Sequence, residues 1–399
     1  MVLAAHLADT HLGYAQYRLW EREDDLYELF STAYEEALRE RVNVIVISGD
    51  VFHTPRPPNR AILTFYQQVR RAGEKGVKTL VVAGEHDQLK RRGDVHPLLM
   101  LSQITSDVVF IGGTDANTVI SQRYVVESNG SRALFYGVNA FPRVMDRVER
   151  YKAIFEQVQA AVAKESGRKV LVAHLPIEGL MSTNIEPSVP VDSLPSGFDY
   201  YALGHLHIRH ISRNKGVLGY PGSLDILSRQ EVDEWRRSGK GFYIVDLSRE
   251  EPEIKKVDLD VRPQFVVEGG KNDVLRELGE LLRAVYRKQP IVHIKVSLKK
   301  NEEPEFRDKL ENLLRKKVLD YRLEVHREDP KLGVAHVPGE SWSEAGVISR
   351  VYGISEKAAL ALIRLKDCLS SRSQPDECEN EIRDVLLVKD EIQKAQGGA

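Results

Sequence analysis

The sequence is poor in sulfur and in net charge. Its 399 residues include 2 cysteines and 4 methionines, and the formal charge at pH 7 is −2. The cysteines, Cys368 and Cys378, form no CxxC pattern. That argues against a disulfide framework or a zinc finger and sets a reducing compartment as the expectation. A near-zero charge excludes a chain that is basic throughout, so any nucleic acid must be held through local patches or metal ions. No apolar run approaches the roughly 18 residues of a membrane span. His6, Asp9 and His11 interrupt the N-terminal apolar stretch, which therefore does not read as a signal peptide. A cytoplasmic protein without membrane contact is expected. The hydrophobic fraction of 42% and charged fraction of 29% are ordinary for a globular chain, and the length leaves room for two or three domains.

What the chain does have is a series of short apolar runs that end in ionisable groups. Residues 2–8 end at Asp9-Thr10-His11, and Asn43–Ser48 ends at Gly49-Asp50-Val51-Phe52-His53. Val77–Ala83 ends at Gly84-Glu85-His86-Asp87, Lys169–Ala173 at His174, and Tyr200–Leu203 at Gly204-His205-Leu206-His207. Leu26, Leu29, Phe30, Ala33 and Ala37 recur at helical spacing between the first two runs, and a second helix over about 60–74 precedes the third. The order βαβαβ predicts an α/β fold with a parallel sheet and crossover helices. Further along, a helix around 97–103, strands near 118–126 and 132–138, and a helix marked by Val144, Val148, Tyr151, Phe155, Val158 and Val162 are expected. From about residue 240 the pattern changes. Strands at 242–247 and 254–258, a helix at 272–287, a strand at 291–298, a helix at 303–316 and a strand at 321–326 predict a second, small α/β unit. The expected division is therefore 1–238, 239–329, a linker over 330–340 and a helical segment over 341–399, too short for a good core of its own.

A single His or Asp at a strand end is ordinarily a capping group or a surface residue. Several such ends on one edge of a parallel sheet instead make a site, because strand ends in open α/β sheets are where ligands bind. Carboxylates mixed with imidazoles and no thiolate suit manganese, iron or zinc. Seven or eight donors are too many for one such ion and suit two, with Asp50 from the middle strand as bridge. Two ions about 3.5–4 Å apart supply a nucleophile and clamp the oxygens of an in-line phosphoryl displacement. His86, with a carboxylate beside it in Asp87, fits a leaving-group acid or transition-state stabiliser.

Asp9-x-His11, Gly49-Asp50-x-x-His53, Gly84-x-His86-Asp87, a single His174 and Gly204-His205-x-His207 resemble the five motifs of the calcineurin-like metallophosphoesterases. Leu-Ala-Asp-Thr-His-Leu-Gly at 7–13, Ser-Gly-Asp-Val-Phe at 48–52, the proline-rich loop behind it and Tyr220-Pro221-Gly222-Ser223 narrow the likeness. Together they resemble the DNA double-strand-break repair nucleases of the meiotic-recombination-eleven and SbcD family. The resemblance implies a β-sandwich flanked by helices and a metal-dependent DNA exonuclease and endonuclease. It further implies that residues 239–329 cap DNA, and that the helical tail binds an SMC-like ABC-type ATPase. A homodimer formed through the helices near 60–74 and 95–103 is implied as well, as is an association with the nucleoid in a prokaryote.

The same resemblance implies two manganese ions per subunit, one held by Asp9, His11, Asp50 and His207, the other by Asp50, Glu85, His174 and His205. It makes His86 the catalytic histidine and Asp87 its orienting partner, with His53 either close by or a surface residue. At position 85 that family usually has Asn. A carboxylate there raises the anionic ligands from two to three, so metal should be held more tightly and Glu85→Asn should weaken binding. Arg56, Arg60 and Lys90-Arg91-Arg92 could touch DNA phosphates or form a solvated surface. The alternatives left open are a small-substrate phosphodiesterase or phosphatase of the same superfamily, and a weakly catalytic DNA-end tethering scaffold.

Overall fold

The structure, a computed structural model, describes residues 1–88, 96–141, 146–180, 188–299, 301–327, 343–371 and 378–388. The strands β1 (Leu3–Leu7), β2 (Val44–Ser48), β3 (Lys78–Val82) and β4 (Val108–Phe110) run parallel, joined by α1 (Trp20–Arg39), α2 (Asn59–Gly73) and α3 (Pro97–Ile104). A second sheet contains β5 (Gly112–Gly113), β6 (Tyr124–Ser128), β7 (Ser131–Val138), β8 (Arg168–His174), β9 (Tyr200–Gly204), β10 (His210–Ser212) and β11 (Val217–Tyr220). It carries α4 (Ala116–Ser121) and α5 (Arg147–Val162).

Strand alternation builds the layers. In β2, Ile45 and Ile47 face α1 and α2, whereas Val44 and Val46 pack with Val170, Val172, Tyr200 and Ala202 of the second sheet. Leu171, Ala173, Tyr201 and Leu203 turn the other way, toward Tyr151, Phe155 and Val158 of α5. The result is a helix–sheet–sheet–helix sandwich, the expected architecture. A polar group runs through its centre. His6 of β1 bonds Tyr200 Oη at 2.7 Å and Ser48 Oγ at 2.9 Å, tying the two sheets together.

Several expectations are corrected. The strands β12 (Gly241–Asp246) and β13 (Glu253–Asp258), expected in the small unit, extend the first sheet in the order β13-β12-β1-β2-β3-β4. Phe242, Tyr243 and Val245 are buried and β12 pairs antiparallel with β1, contacts that local pattern cannot reveal. The segments on both sides of the boundary expected at 238/239 therefore share one sheet, and Met1–Glu328 form one compact unit. Residues 116–121 form α4, with Asp115 capping through Thr118 N, where a strand was expected.

The small unit gains an unexpected strand, β14 (Gln264–Gly270), which lies parallel to β15 (Ile291–Leu298), itself parallel to β16 (Asp320–Arg327). The helices α7 (Lys271–Leu281) and α8 (Glu303–Leu314) are the crossovers. A buried charge network seats this unit against α1. Asp25 bonds Arg22 at 2.6 Å, Arg262 at 2.6 Å and Lys288 at 2.9 Å, while Arg22 also reaches Asp225 at 2.7 Å. Between β11 and β12 lies α6 (Val232–Ser238).

The expected linker at 330–340 lies outside the described residues. The chain divides after Glu328 into a second compact unit, formed by α9 (Glu344–Tyr352), α10 (Glu356–Ser371) and α11 (Glu379–Leu387) around Ala345, Ile354, Ala358 and Ala359. Cys368 and Cys378 are joined there by a disulfide, where their spacing had argued against a disulfide framework. Packing of α10 on α11 brings them together, which their spacing alone did not indicate. No described helix is long and apolar enough to cross a membrane.

Candidate metal centre

The five strand ends meet across two sheets, whereas one shared edge was expected. β1, β2 and β3 deliver Asp9, His11, Asp50 and the Gly84–Asp87 turn from the first sheet, and β8 and β9 deliver His174, His205 and His207 from the second. Asp9, His11, Asp50 and His205 all have positive φ, at 48°, 41°, 48° and 100°. Non-glycine residues in that region are strained and persist where the surroundings hold them, commonly at functional sites. The strain turns each chain sharply at its strand end, so that side chains from separate strands converge. Gly204 makes room for the junction of the sheets, since a Cβ there would lie 1.9 Å from Ser48 O.

Three tight ligand groups result among the described residues: Asp9, His11 and His207; Asp9, Asp50 and His174; and His11, His53 and His86. His11 Nε2 and His207 Nε2 are 3.1 Å apart, and His11 Nε2 lies 3.7 Å from Asp50 Oδ2. His174 Nδ1 donates to Ser48 O at 2.9 Å. This leaves Nε2, which is buried, makes no hydrogen bond and lies 3.4 Å from Asp50 Oδ2. A buried ring nitrogen without a hydrogen-bond partner, on a tautomer set by a backbone carbonyl and beside two buried carboxylates, is the arrangement of a metal ligand. The donor set fits a divalent cation. His205 stands edge-on to His174 at 5.3 Å between ring centroids, and its backbone N–H donates to Asp9. Neither His205 nor Glu85 belongs to the three tight groups.

A cavity of about 650 Å³ opens over these residues, lined by Asp50, Glu85, His86, His205 and His207 and walled by Glu231 and Arg237. A second cavity, of about 750 Å³, lies among Leu99, Phe110, Phe141 and Ile154. The clustered ligands open onto the first one, and the chemistry is placed there.

The Gly84–Asp87 turn divides its roles differently from the sequence expectation. His86 is exposed to the cavity, its Nδ1 donates to His53 O at 2.8 Å, and its backbone N–H donates to Asp50 Oδ1 at 2.8 Å. Asp87 is therefore not the partner of the His86 ring. Its buried carboxylate accepts the backbone N–H groups of Val51, Phe52 and Gly84 at 3.1, 2.9 and 3.0 Å, holding the Asp50 and Gly84 turns together. The two are sequence neighbours, but the tight turn sends one side chain out and the other in. Burial, with the nearby Asp50 charge, pushes Asp87 up to about 7, against those backbone bonds.

His53 belongs to the site. It stacks on His86 at 5.0 Å and on Tyr14 at 4.1 Å, and burial followed by His86 lowers it to about 4. Arg60 is paired with Asp24 at 2.5 Å and lies over the Tyr27 ring, away from the ligand cluster. Arg56 is exposed, and Lys90, Arg91 and Arg92 lie outside the described residues.

Sequence reasoning missed the support behind His207. Glu231 Oε1 accepts from His207 Nδ1 at 3.0 Å. Lys240, fully enclosed, bonds the other Glu231 oxygen, Ser223 Oγ at 2.7 Å and His207 O at 2.6 Å. Burial opposes ionisation of Glu231, but Lys240 and His207 outweigh it and hold the carboxyl low. The only advance signals were Ser223, in a motif already noted, and a lysine between two glycines. Orienting carboxylates of this kind carry about 10- to 100-fold in metal affinity. Glu231→Gln should weaken divalent-metal binding by that amount in a calorimetric titration, and an unchanged affinity would show that His207 needs no such support.

The calcineurin-like phosphoesterase family model matches residues 3–209. The DNA double-strand break repair protein Mre11 of Sulfurisphaera tokodaii is 31% identical over 294 residues, 72% of each chain. That of Saccharolobus solfataricus is 32% identical over 302 residues, 74% of each chain. That of Methanocaldococcus jannaschii is 32% identical over 280 residues, covering 66% of this chain and 68% of the relative.

Proposed function

Because the chain belongs to the calcineurin-like phosphoesterase family, in the branch of the Mre11 repair proteins, we propose that it is a dinuclear manganese nuclease that cuts DNA at double-strand breaks. The observation that carries this reading is the convergence of Asp9, His11, Asp50, His174 and His207 beneath a cavity that also presents His86. When bound, two manganese ions supply a nucleophile and neutralise charge on the phosphate.

The residues' own work follows from their surroundings. Asp50 lies within reach of both His11 and His174, which suits it to bridge. His205 and Glu85 complete the ligand set from the cavity wall. His86, with Nδ1 committed to the His53 carbonyl, holds or gives a proton at Nε2 toward the scissile phosphate. Asp87 holds the turns. Arg56, which is exposed, and the Lys90–Arg92 run, by its charge in the sequence alone, are the candidates to meet backbone phosphates. Both double-strand exonuclease and single-strand endonuclease action, and a cytoplasmic or nucleoid location, go with this reading.

Two surfaces support the proposed assemblies. On α2 and α3, Leu63, Leu99, Met100 and Ile104 are exposed, an apolar face suited to a homodimer. In the tail unit, Val351, Tyr352, Leu360, Leu386 and Leu387 are exposed and suit an SMC-like ABC-type ATPase partner. The small unit with β14–β16 is the proposed DNA cap. The deciding assay is manganese-dependent cleavage of a labelled duplex and a labelled single strand. Duplex binding without cleavage would give a tethering scaffold, and cleavage only of small phosphodiesters would give the small-substrate enzyme.

Metal uptake should depend on pH. Burial pulls His174 down, but Asp50 and Asp9 outweigh this and push it up to about 10 in the metal-free protein. A protonated imidazole cannot ligate, so below that value the metal must displace a proton. Affinity for manganese should therefore rise with pH by about tenfold per unit for each proton displaced, with proton release visible by calorimetry in buffers of different ionisation enthalpy. A flat profile between about pH 6 and 9 would refute this account. In the metal-free protein the sign is opposite. His174 contributes stability that is complete below its unfolded value and is lost as pH rises through about 10.

A further inference from the structure

Beneath the metal centre the two sheets meet through a layer that includes Val44, Val46, Val170, Val172 and Ala202. A chain of buried polar groups, His6, Ser48 and Tyr200, crosses that layer, and the reaction above does not use it. The Ser48 hydroxyl donates to Ala202 O of β9 at 2.9 Å. His6 Nε2 must therefore donate to Ser48 Oγ, and His6 Nδ1 must accept from Tyr200 Oη. Burial pulls His6 down to about 3, so its ring is neutral and offers one donor and one acceptor. Three hydrogen bonds then join the sheets: Tyr200 to His6, Ser48 to Ala202, and His174 to the Ser48 carbonyl. Each link lies just below a proposed metal ligand. His6 is three residues before Asp9, Ser48 two before Asp50, and Ala202 three before His205.

We propose that His6, acting with Ser48 and Tyr200, is a positioning residue that fixes the register of the two sheets at the metal centre. This rests on the nuclease reading of the same site. Asp9, His11 and Asp50 come from the first sheet, and His174, His205 and His207 from the second. Each proposed ion is therefore shared between the sheets, and its ligand distances tolerate only about 0.2 Å of error. Apolar layers do not impose that tolerance, because they repack with little loss of stability and lose uniqueness first. Hydrogen bonds are short and directional. Those that cross this layer hold one sheet against the other where valine contacts alone would let it slide.

The test separates stability from metal affinity in the full chain. It uses melting curves in chelator and calorimetric titration of the metal-free protein with manganese chloride. His6→Leu/Tyr200→Phe removes the links to His6 and leaves the Ser48 hydroxyl its partner in Ala202 O. Replacing both partners of a buried bond by apolar groups is nearly neutral, so this variant should melt within about 4 °C of the wild type. Its affinity for manganese should nevertheless fall by about tenfold or more. Val44→Ala is the reverse control, at the far end of β2 from Ser48. It opens a cavity in the same layer and keeps every polar link. It should melt several degrees lower, with affinity within about threefold of the wild type. A merely structural role for His6 would not produce these opposite responses. If the double variant does not fold, Tyr200→Phe alone removes only the hydroxyl that crosses between the sheets and should weaken binding in the same direction. Affinity in the double variant within about threefold of the wild type, or equal losses in it and in Val44→Ala, would overturn the inference. A wild-type chain that takes up no manganese would instead overturn the nuclease reading on which it rests.

Discussion

His86→Ala should lower manganese-dependent cleavage of a labelled duplex by about 10²–10⁴-fold while manganese affinity stays within a few-fold of the wild type. The separation of the two effects follows from which atoms His86 uses. Its bond to Asp50 comes from the backbone N–H at 2.8 Å, which alanine retains, so the bridging carboxylate keeps its partner. The ring is what is lost. It packs at 4.8 Å from the His11 ring and 5.0 Å from that of His53, and its Nδ1 is committed to the His53 carbonyl. That bond fixes the tautomer and orients Nε2 for proton transfer at the cavity. Single-turnover cleavage and calorimetry on the same preparations measure the two effects. Cleavage equal to the wild type would remove His86 from the chemistry, and a matching loss of metal would make it a ligand.

A single methyl group at position 84 should have an equally large effect through a different route. Gly84→Ala should abolish measurable manganese binding and cost about 3 kcal/mol of stability. A Cβ at Gly84 would lie 2.0 Å from Asp50 Oδ1 and 2.3 Å from Asp50 N. Neither atom can yield cheaply. Asp50 already sits at φ 48°, and the N–H groups of Val51 and Phe52 that follow it are held by Asp87. Relief must therefore come from moving the carboxylate proposed to bridge both ions or from opening the junction of β2 and β3. Gly279→Ala is the matched control, because that helical position is open and alanine should be neutral or slightly stabilising there. Thermal melts and metal titrations of the two variants make the comparison. Metal binding by Gly84→Ala at wild-type strength would show that the turn is far softer than its packing implies.

The ligand types were legible because apolar runs ending in His and Asp are a poor solution for packing and a good one for metal. Asp9, His11, Asp50, His174 and His207 could be named from that pattern, whereas the helix–sheet–sheet–helix order followed only from the family resemblance, since the residue pattern alone predicted a parallel sheet with crossover helices. Pairings between distant segments could not be read. β12 reads equally well as a strand of either unit until its register with β1 is known. Likewise, the cysteines ten residues apart become a pair only when α10 and α11 pack together.

The site shows the same division. Residue chemistry, carried by side-chain type and local order, was set by the sequence alone: carboxylates and imidazoles at strand ends, glycines at the turns, and a carboxylate at position 85. Direction and partnership were decided by tertiary structure. Asp87 turned inward to hold backbone N–H groups, and Glu231 and Lys240 came to support His207 from 24 and 33 residues away. Arg147, 62 residues from Glu85, came to donate to its carboxylate. These contacts depend on where separate strands and helices place their ends in space. A charge buried 62 positions away leaves no periodicity or spacing in the chain, because only folding creates the low-dielectric surroundings in which such a pair must form.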